Sequence, residues 1–322
     1  MLLSAFAFQE YRDYSHAMKL ISILIILCWT PIAFTATDDI PGKQDPETYI
    51  SAKEIRDNAR RVKLKLRSRA ALVYDERDNE VIIERNAQEV VPVASLSKLM
   101  TAMVILDAEL AMDDVITISK ADKDRLRYSR SRLRKNMKFT RKDLLLIALM
   151  ASENRAASAL ARTYPGGSEE FIKAMNNKAI ELGLSNTRFA DPAGLSNDNV
   201  STAQELMQLV KAASEYTLIS EYTTQKKGSI LNLNNERKID FPNTNRLVKK
   251  VSWPITLSKT GYTREAGNCL VMQTQINSRP VIIVLLESWG KLSKYGDSNR
   301  IKKWLLKTER LLKKNSIQVT KK

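Results

Sequence analysis

Residues 95–110 read SLSKLMTAMVILDAEL, and this stretch is where the chain changes from strand-like to helical patterning. Its apolar residues recur at helical spacing, and Ser95 is placed to open the helix. Upstream, Ala70-Ala71-Leu72-Val73-Tyr74 and Glu80-Val81-Ile82-Ile83-Glu84 flank Arg77-Asp78-Asn79, which predicts a β-hairpin. Downstream the pattern stays helical. Thr140 with Asp143, and Ser201 with Gln204, read as capping boxes; Ser168 opens another helix through Lys178, ended by Gly183. After about residue 235 strands return at 255–257, 269–273 and 281–286, with Ser278-Arg279-Pro280 as the turn between the last two. A final helix is expected from Ser298 to about Lys314. The order is hairpin, helices, strands, helix. Early and late strands must then share one antiparallel sheet with flanking helices, and an all-helical subdomain is inserted at about 100–230. The expected class is α/β, in the α+β arrangement.

Composition narrows the chemistry. The chain has 322 residues, is 43% hydrophobic and carries a formal charge of +16, which is ample for a core and strongly basic. Its single histidine is His16, and its two cysteines are Cys28 and Cys269. Residues 20–29 (LISILIILCW) follow Lys19, continue past Pro31, and end in Ala33-Phe34-Thr35-Ala36 before an acidic stretch. That pattern reads as a cleaved secretory signal over 1–36, with Met18 as the alternative start and the periplasm as destination. An uncleaved anchor is the competing reading; spans need about 20 apolar residues, and Pro31 interrupts this run. Cleavage would leave no histidine and one cysteine. Ser-His-Asp and Cys-His catalysis, His-ligated zinc and an intramolecular disulfide are then excluded, and neither a metal nor a cofactor is expected. The charge stays at +16, because Arg12 and Lys19 leave with Glu10 and Asp13. A secreted protein this basic meets anionic envelope polymers or acidic lipid rather than nucleic acid.

A serine can instead be activated by a lysine, provided the lysine is neutral when it takes the proton. In Ser95-Leu96-Ser97-Lys98 the hydroxyl and amine share one helix face, and the helix start offers free N–H groups to a developing oxyanion. Spacing alone decides nothing, since Ser288-Trp289-Gly290-Lys291 repeats it. Company separates the two. Ser152-Glu153-Asn154 follows the apolar helix 141–151, and Lys259-Thr260-Gly261 ends a predicted strand, 57 and then 107 residues further on.

Ser-x-x-Lys, Ser-x-Asn and Lys-Thr-Gly in that order resemble the penicillin-binding proteins and serine β-lactamases. The segments VVPVASLSKLMTAMVILDA, LLLIALMASENRAASALA, TRFADPAGLS and ITLSKTGYTREAGNCLVM look like the low-molecular-mass D-alanyl-D-alanine peptidases, most of all the endopeptidase type. The resemblance covers about residues 65–312. It implies a β-lactamase/transpeptidase-like fold, with a polar arm at 37–64, a catalytic domain at 65–315 and a basic tail at 316–322. It also implies Ser95 as acylated nucleophile, Lys98 as its base and Ser152 as proton relay towards the leaving amine. Asn154 would hold Lys98 and the substrate amide. Lys259 would add positive charge and, with Thr260, grip the substrate carboxylate, while Gly261 lets the substrate lie along the strand. The N–H groups of Ser95 and Tyr262 would form the oxyanion hole. Lys98 would need burial or a like charge such as Lys259 to fall from the usual lysine pKa of about 10.4.

The implied partners are peptidoglycan peptides, with β-lactam antibiotics as acylating inhibitors. Within the family a β-lactamase is disfavoured, for no Glu-x-x-Leu-Asn follows Asn154. The 61 residues after Gly261 leave no room for the extra domain common in carboxypeptidases, which favours endopeptidase cleavage of D-Ala–diaminopimelate cross-links. The alternatives are a carboxypeptidase of the same family and an inactive basic wall-binding protein. The eleven basic residues between Lys120 and Lys142 read first as a solvated face. The basic C-terminal helix is a candidate for peripheral membrane contact, but packing on the sheet is preferred because it gives Trp304, Leu305, Leu311 and Leu312 a core. Cys269 reads as a small core residue.

Overall fold

Val281 to Leu286 is apolar without interruption, the pattern of a strand covered on both faces. In a computed structural model of the chain, which describes residues 49–319, this run lies in the middle of a five-stranded sheet. The expected leader at 1–36 and the first part of the expected arm, 37–48, lie outside the described residues.

Helix α1 (Ala52–Asp57) precedes the hairpin of β1 (Ser68–Asp75) and β2 (Glu80–Arg85). A short β3 (Val91–Pro92) leads into α2 (Lys98–Asp107), followed by β4 (Val115–Thr117), β5 (Lys138–Thr140), α3 (Arg141–Met150), α4 (Asn154–Arg162) and α5 (Gly167–Glu181). Then come β6 (Val200–Ser201), α6 (Ala203–Ser214), α7 (Thr217–Thr224), and the hairpin of β7 (Lys227–Asn232) and β8 (Arg237–Pro242). The chain closes with β9 (Ile255–Thr263), β10 (Gly267–Ile276), β11 (Arg279–Ser288) and α8 (Ser293–Val319). The sheet order is β2-β1-β11-β10-β9, antiparallel throughout, with Val73 opposite Ile283 and Gly261 opposite Cys269. Early and late strands therefore share one sheet, as expected.

Alternation along each strand builds two cores. Leu72, Val271, Ile282 and Val284 face the block of α2 to α7. Val73, Leu270, Met272, Ile283 and Leu285 face α1 and α8, where Ile55, Ile301, Trp304 and Leu305 close the second layer. The apolar side of α8 is thus spent on the sheet, although Leu311 is left exposed, contrary to expectation. No helix among the described residues is long and apolar enough to cross a membrane.

Several boundaries differ from the sequence reading. From Ile50 the expected loose arm is packed: Ser51 and Glu54 form a full capping box, and Ile50, Ala52 and Ile55 are buried. Thr202, not Ser201, caps α6 by accepting from Glu205 N, while Ser201 is buried on β6 against Thr187. Both Ser-x-x-Gln and Thr-x-x-Glu fit the cap rule one residue apart, so spacing could not choose. Asn277 and Ser278, both at positive φ, make the last hairpin turn. Arg279 is instead a buried strand residue paired with Asp75 and with Glu309 of α8. The helical insertion also carries the small pairs β4–β5 and β7–β8, and α8 begins at Ser293 rather than Ser298.

Candidate active site

The start of α2 meets the edge strand β9 under unusual backbone constraints. Ala94 to Ser97 form a 3-10 turn ahead of α2, and Ala94 has φ of 50°, a left-handed conformation that costs a non-glycine residue about 1–3 kcal/mol. Two glycines let other chain segments close over it. A Cβ on Gly194 would lie 1.9 Å from the Ala94 carbonyl oxygen, and one on Gly261 3.0 Å from that of Val93 and 3.2 Å from Ser95 N. Strand β9 has no neighbour beyond it in the sheet, so alternate backbone groups face the cleft.

Ser95 Oγ lies between Lys98 and the loop after α5. It donates to Ala193 O at 3.2 Å and accepts from Lys98 Nζ at 2.9 Å. Lys98 is 1% exposed, and its Nζ also donates to Asn154 Oδ1 at 2.7 Å and to Ala193 O. Burial lowers its pKa to about 8, against the opposing pull of Asp191, Glu153 and Asp124. Asn154 opens α4, and its Nδ2 donates to Ser129 Oγ at 2.9 Å.

Ser152 turns into the cleft with φ of 59° and accepts from Lys259 Nζ at 2.8 Å. Lys259 is as buried as Lys98 and donates also to Thr260 O at 3.0 Å. Burial, then the charges of Lys98 and Lys294, hold its pKa well below the ordinary lysine value. Of the two causes the sequence left open for Lys98, burial is the one that acts, and the like-charge effect falls instead on Lys259. Thr260 Oγ1 donates to Thr244 Oγ1 at 2.7 Å, and the Tyr262 side chain is exposed. The structure brings Ser95, Lys98 and Asn154 into one hydrogen-bonded group, and Ser152 and Lys259 into a second beside it.

Sequence reasoning missed the Ala193 carbonyl, Gly194, Ser129 and Thr244. The first two were signalled by Asp191-Pro192-Ala193-Gly194, a run of turn-forming residues. Asp191 folds that loop by accepting from the N–H groups of Ala193, Leu195 and Ser196 at 2.7, 2.9 and 2.7 Å. The basic run is only partly solvated: Arg141 is buried against Asp114, and Arg127 bridges Leu195 O to Glu265. The second Ser-x-x-Lys makes no dyad, for Ser288 is buried against Ser68 Oγ at 2.7 Å while Lys291 is exposed. Cys269 is buried and its thiol pKa is pushed up to about 11 by desolvation, in keeping with a core residue.

The fold is that of the penicillin-binding enzymes. The Streptomyces K15 DD-transpeptidase superposes with a TM-score of 0.70 at 26% identity, covering 76% of this chain and 98% of its own. Penicillin-binding protein D2 of Listeria monocytogenes, solved in its cefotaxime-bound form, does so with a TM-score of 0.66 at 30% identity, covering 76% and 98%. The chain belongs to the D-alanyl-D-alanine carboxypeptidase family (peptidase S11), whose family model matches residues 56–289. Among similar proteins, a D-alanyl-D-alanine endopeptidase of Pseudomonas aeruginosa is 46% identical over 240 residues, 74% of this chain and 77% of that protein. One of Escherichia coli is 45% identical over 238 residues, with the same coverage.

Proposed function

We propose that the chain is a periplasmic serine DD-peptidase, cleaving D-Ala–diaminopimelate cross-links of peptidoglycan through an acyl-enzyme on Ser95. The observation that carries this reading is the buried Lys98 held against Ser95 Oγ by two further acceptors. Asn154 Oδ1 and the Ala193 carbonyl can only accept, so they take the two N–H bonds of a neutral amine. Once Lys98 has lost the proton that it donates to Ser95 Oγ, its lone pair faces Ser95, and the hydroxyl turns from Ala193 O to donate to it. Ser95 Oγ then attacks the D-Ala carbonyl while its proton passes to Lys98. The N–H groups of Ser95 and Tyr262 receive the oxyanion. Collapse breaks the C–N bond as Ser152 relays the proton taken up by Lys98 to the departing amine, which restores the neutral base, and water then hydrolyses the ester to free Ser95. Gly261 leaves space for the substrate backbone along β9. Lys259, with its pKa depressed by burial, regains its ammonium form when a substrate carboxylate sits beside it and Thr260.

The sign of the pH dependence follows. Lys98 works as the neutral base, so with a pKa of about 8 roughly a tenth is competent at pH 7. The second-order rate constant for Ser95 acylation should rise about tenfold per pH unit below 8 and level off above it. A stopped-flow profile that is flat from pH 6 to 9 would contradict Lys98 as base.

Carboxypeptidase action on terminal D-alanine is the second reading, favoured by the family description. Contact of α8 with acidic lipid would use the exposed Lys303, Lys307 and Arg310, since Trp304 and Leu305 are spent on the sheet. The decisive experiment is incubation with labelled penicillin followed by peptide mass spectrometry. An ester on Ser95, lost in Ser95→Ala, is the expected result; no adduct, or one that survives Ser95→Ala, overturns the enzyme reading.

A further inference from the structure

Beside β9, with Thr260 and Tyr262 in its lining, lies a cavity of about 920 Å³. Thr260 and Tyr262 form one wall, Thr244 and Arg246 another, and the turn from Trp289 to Tyr295 a third. The turn is held by Trp289 N donating to Arg67 O at 3.4 Å and Ser293 N to Gly290 O at 2.9 Å. The second Ser-x-x-Lys runs from the end of β11 into this turn, and its Ser288, Trp289 and Lys291 all line the cavity.

The lining is selective in charge and shape. Arg246, Lys291 and Lys294 contribute to it, and no acidic residue does. Lys294 is 6% exposed, and its Nζ makes no hydrogen bond or ion pair among the described residues; the Tyr295 ring is 5.6 Å away. A cation so placed is costly unless an anion joins it. Large apolar groups are also left open there: Trp289 is 82% exposed, Tyr262 65% and Leu292 55%.

The two substrate types differ only beyond the leaving amine. Each carries a carboxylate on the carbon that bears this amine, within reach of Thr260. A terminal D-alanine ends there, and would fill a small fraction of the cavity. In a cross-link the leaving residue continues as a methylene chain into a second stem peptide that bears more carboxylates. Methylenes suit Trp289, and carboxylates suit Arg246 and Lys291. Resting on the DD-peptidase reading above, we propose that this cavity binds the anionic acceptor stem of a cross-link, and that Trp289 and Arg246 set the preference for cross-links over terminal D-alanine.

The test compares purified cross-linked muropeptide dimers with monomeric pentapeptides, using the full secreted chain and its Trp289→Ala, Arg246→Ala and double variants. Dimer cleavage relative to D-alanine release should fall roughly tenfold in each single variant and further in the double, chiefly through KM for the dimer. Raising salt should weaken dimer cleavage more than D-alanine release in the unaltered protein, and less so in Arg246→Ala. Equal loss on both substrates, or no change in their ratio, overturns the subsite even though penicillin still labels Ser95. Failure of the unaltered protein to take the label overturns the peptidase reading and this inference with it.

Discussion

Lys98→Arg should lower the rate of Ser95 acylation by about a thousandfold or more, as should Lys98→Met. The pairing of the two variants is informative because their charges differ. Arginine keeps a cation near Ser95 but never gives up its proton at working pH. Methionine has a similar length and no charge, and it suits a position that is 1% exposed. If Lys98 acted only as a positive charge, arginine would rescue part of the rate. If it acts as a base, both fail together, and the residual rate loses its dependence on pH near 8. Methionine removes a buried cation but also leaves Asn154 Oδ1 and the Ala193 carbonyl without their donor, so thermal unfolding is measured beside acylation to show that Lys98→Met is folded. Substantial acylation by Lys98→Arg, measured with a fluorescent penicillin, would refute the proton-transfer role.

How much of this was legible follows from what each residue depends on. The sheet could be read because β1 and β11 are covered on both faces and therefore write near-continuous apolar runs. The site could be read because Ser95 and Lys98 are three residues apart across the 3-10 turn that enters α2, and because Ser152 follows and Lys259 lies within elements with strong patterns. Strand β9 nonetheless runs on past Lys259 to Thr263, where the sequence reading ended the strand. Their meeting could not: Lys259 reaches Ser152 across 107 residues, and only the family resemblance tied them. The Ala193 carbonyl was invisible for another reason, since a backbone acceptor carries no side-chain signature. Its place depends on Asp191 folding the loop, and a lone aspartate before a proline reads as any turn. Arg279 was misplaced because Ser-Arg-Pro looks like a loop, whereas its buried partners Asp75 and Glu309 are distant in sequence. The caps at Thr202 and Ser51 mark the same limit at short range, where several polar residues satisfy one spacing rule.

The loop that carries Ala193 gives the sharpest structural prediction. Gly194 sits at φ of 76°, and a Cβ there would lie 1.9 Å from the Ala94 carbonyl oxygen and 2.8 Å from Ser95 N. Those are backbone atoms, so no side chain can rotate away to make room. Ala94 is itself held in the left-handed region, and any shift of its carbonyl turns the Ser95 N–H and Oγ with it. Gly194→Ala should therefore cost about 3 kcal/mol of stability from conformational strain and overpacking together. It should also lower acylation by roughly a hundredfold, because a nucleophile displaced by a fraction of an ångström loses its alignment with Lys98. Gly183→Ala separates the two effects. Gly183 also has positive φ, 71°, but nothing lies within 4 Å of where its Cβ would be. That variant should lose only about 1 kcal/mol and acylate at the parent rate. Thermal unfolding and penicillin acylation, measured on both, give the answer. If Gly194→Ala loses stability yet acylates like Gly183→Ala, the loop supports the fold without positioning Ser95.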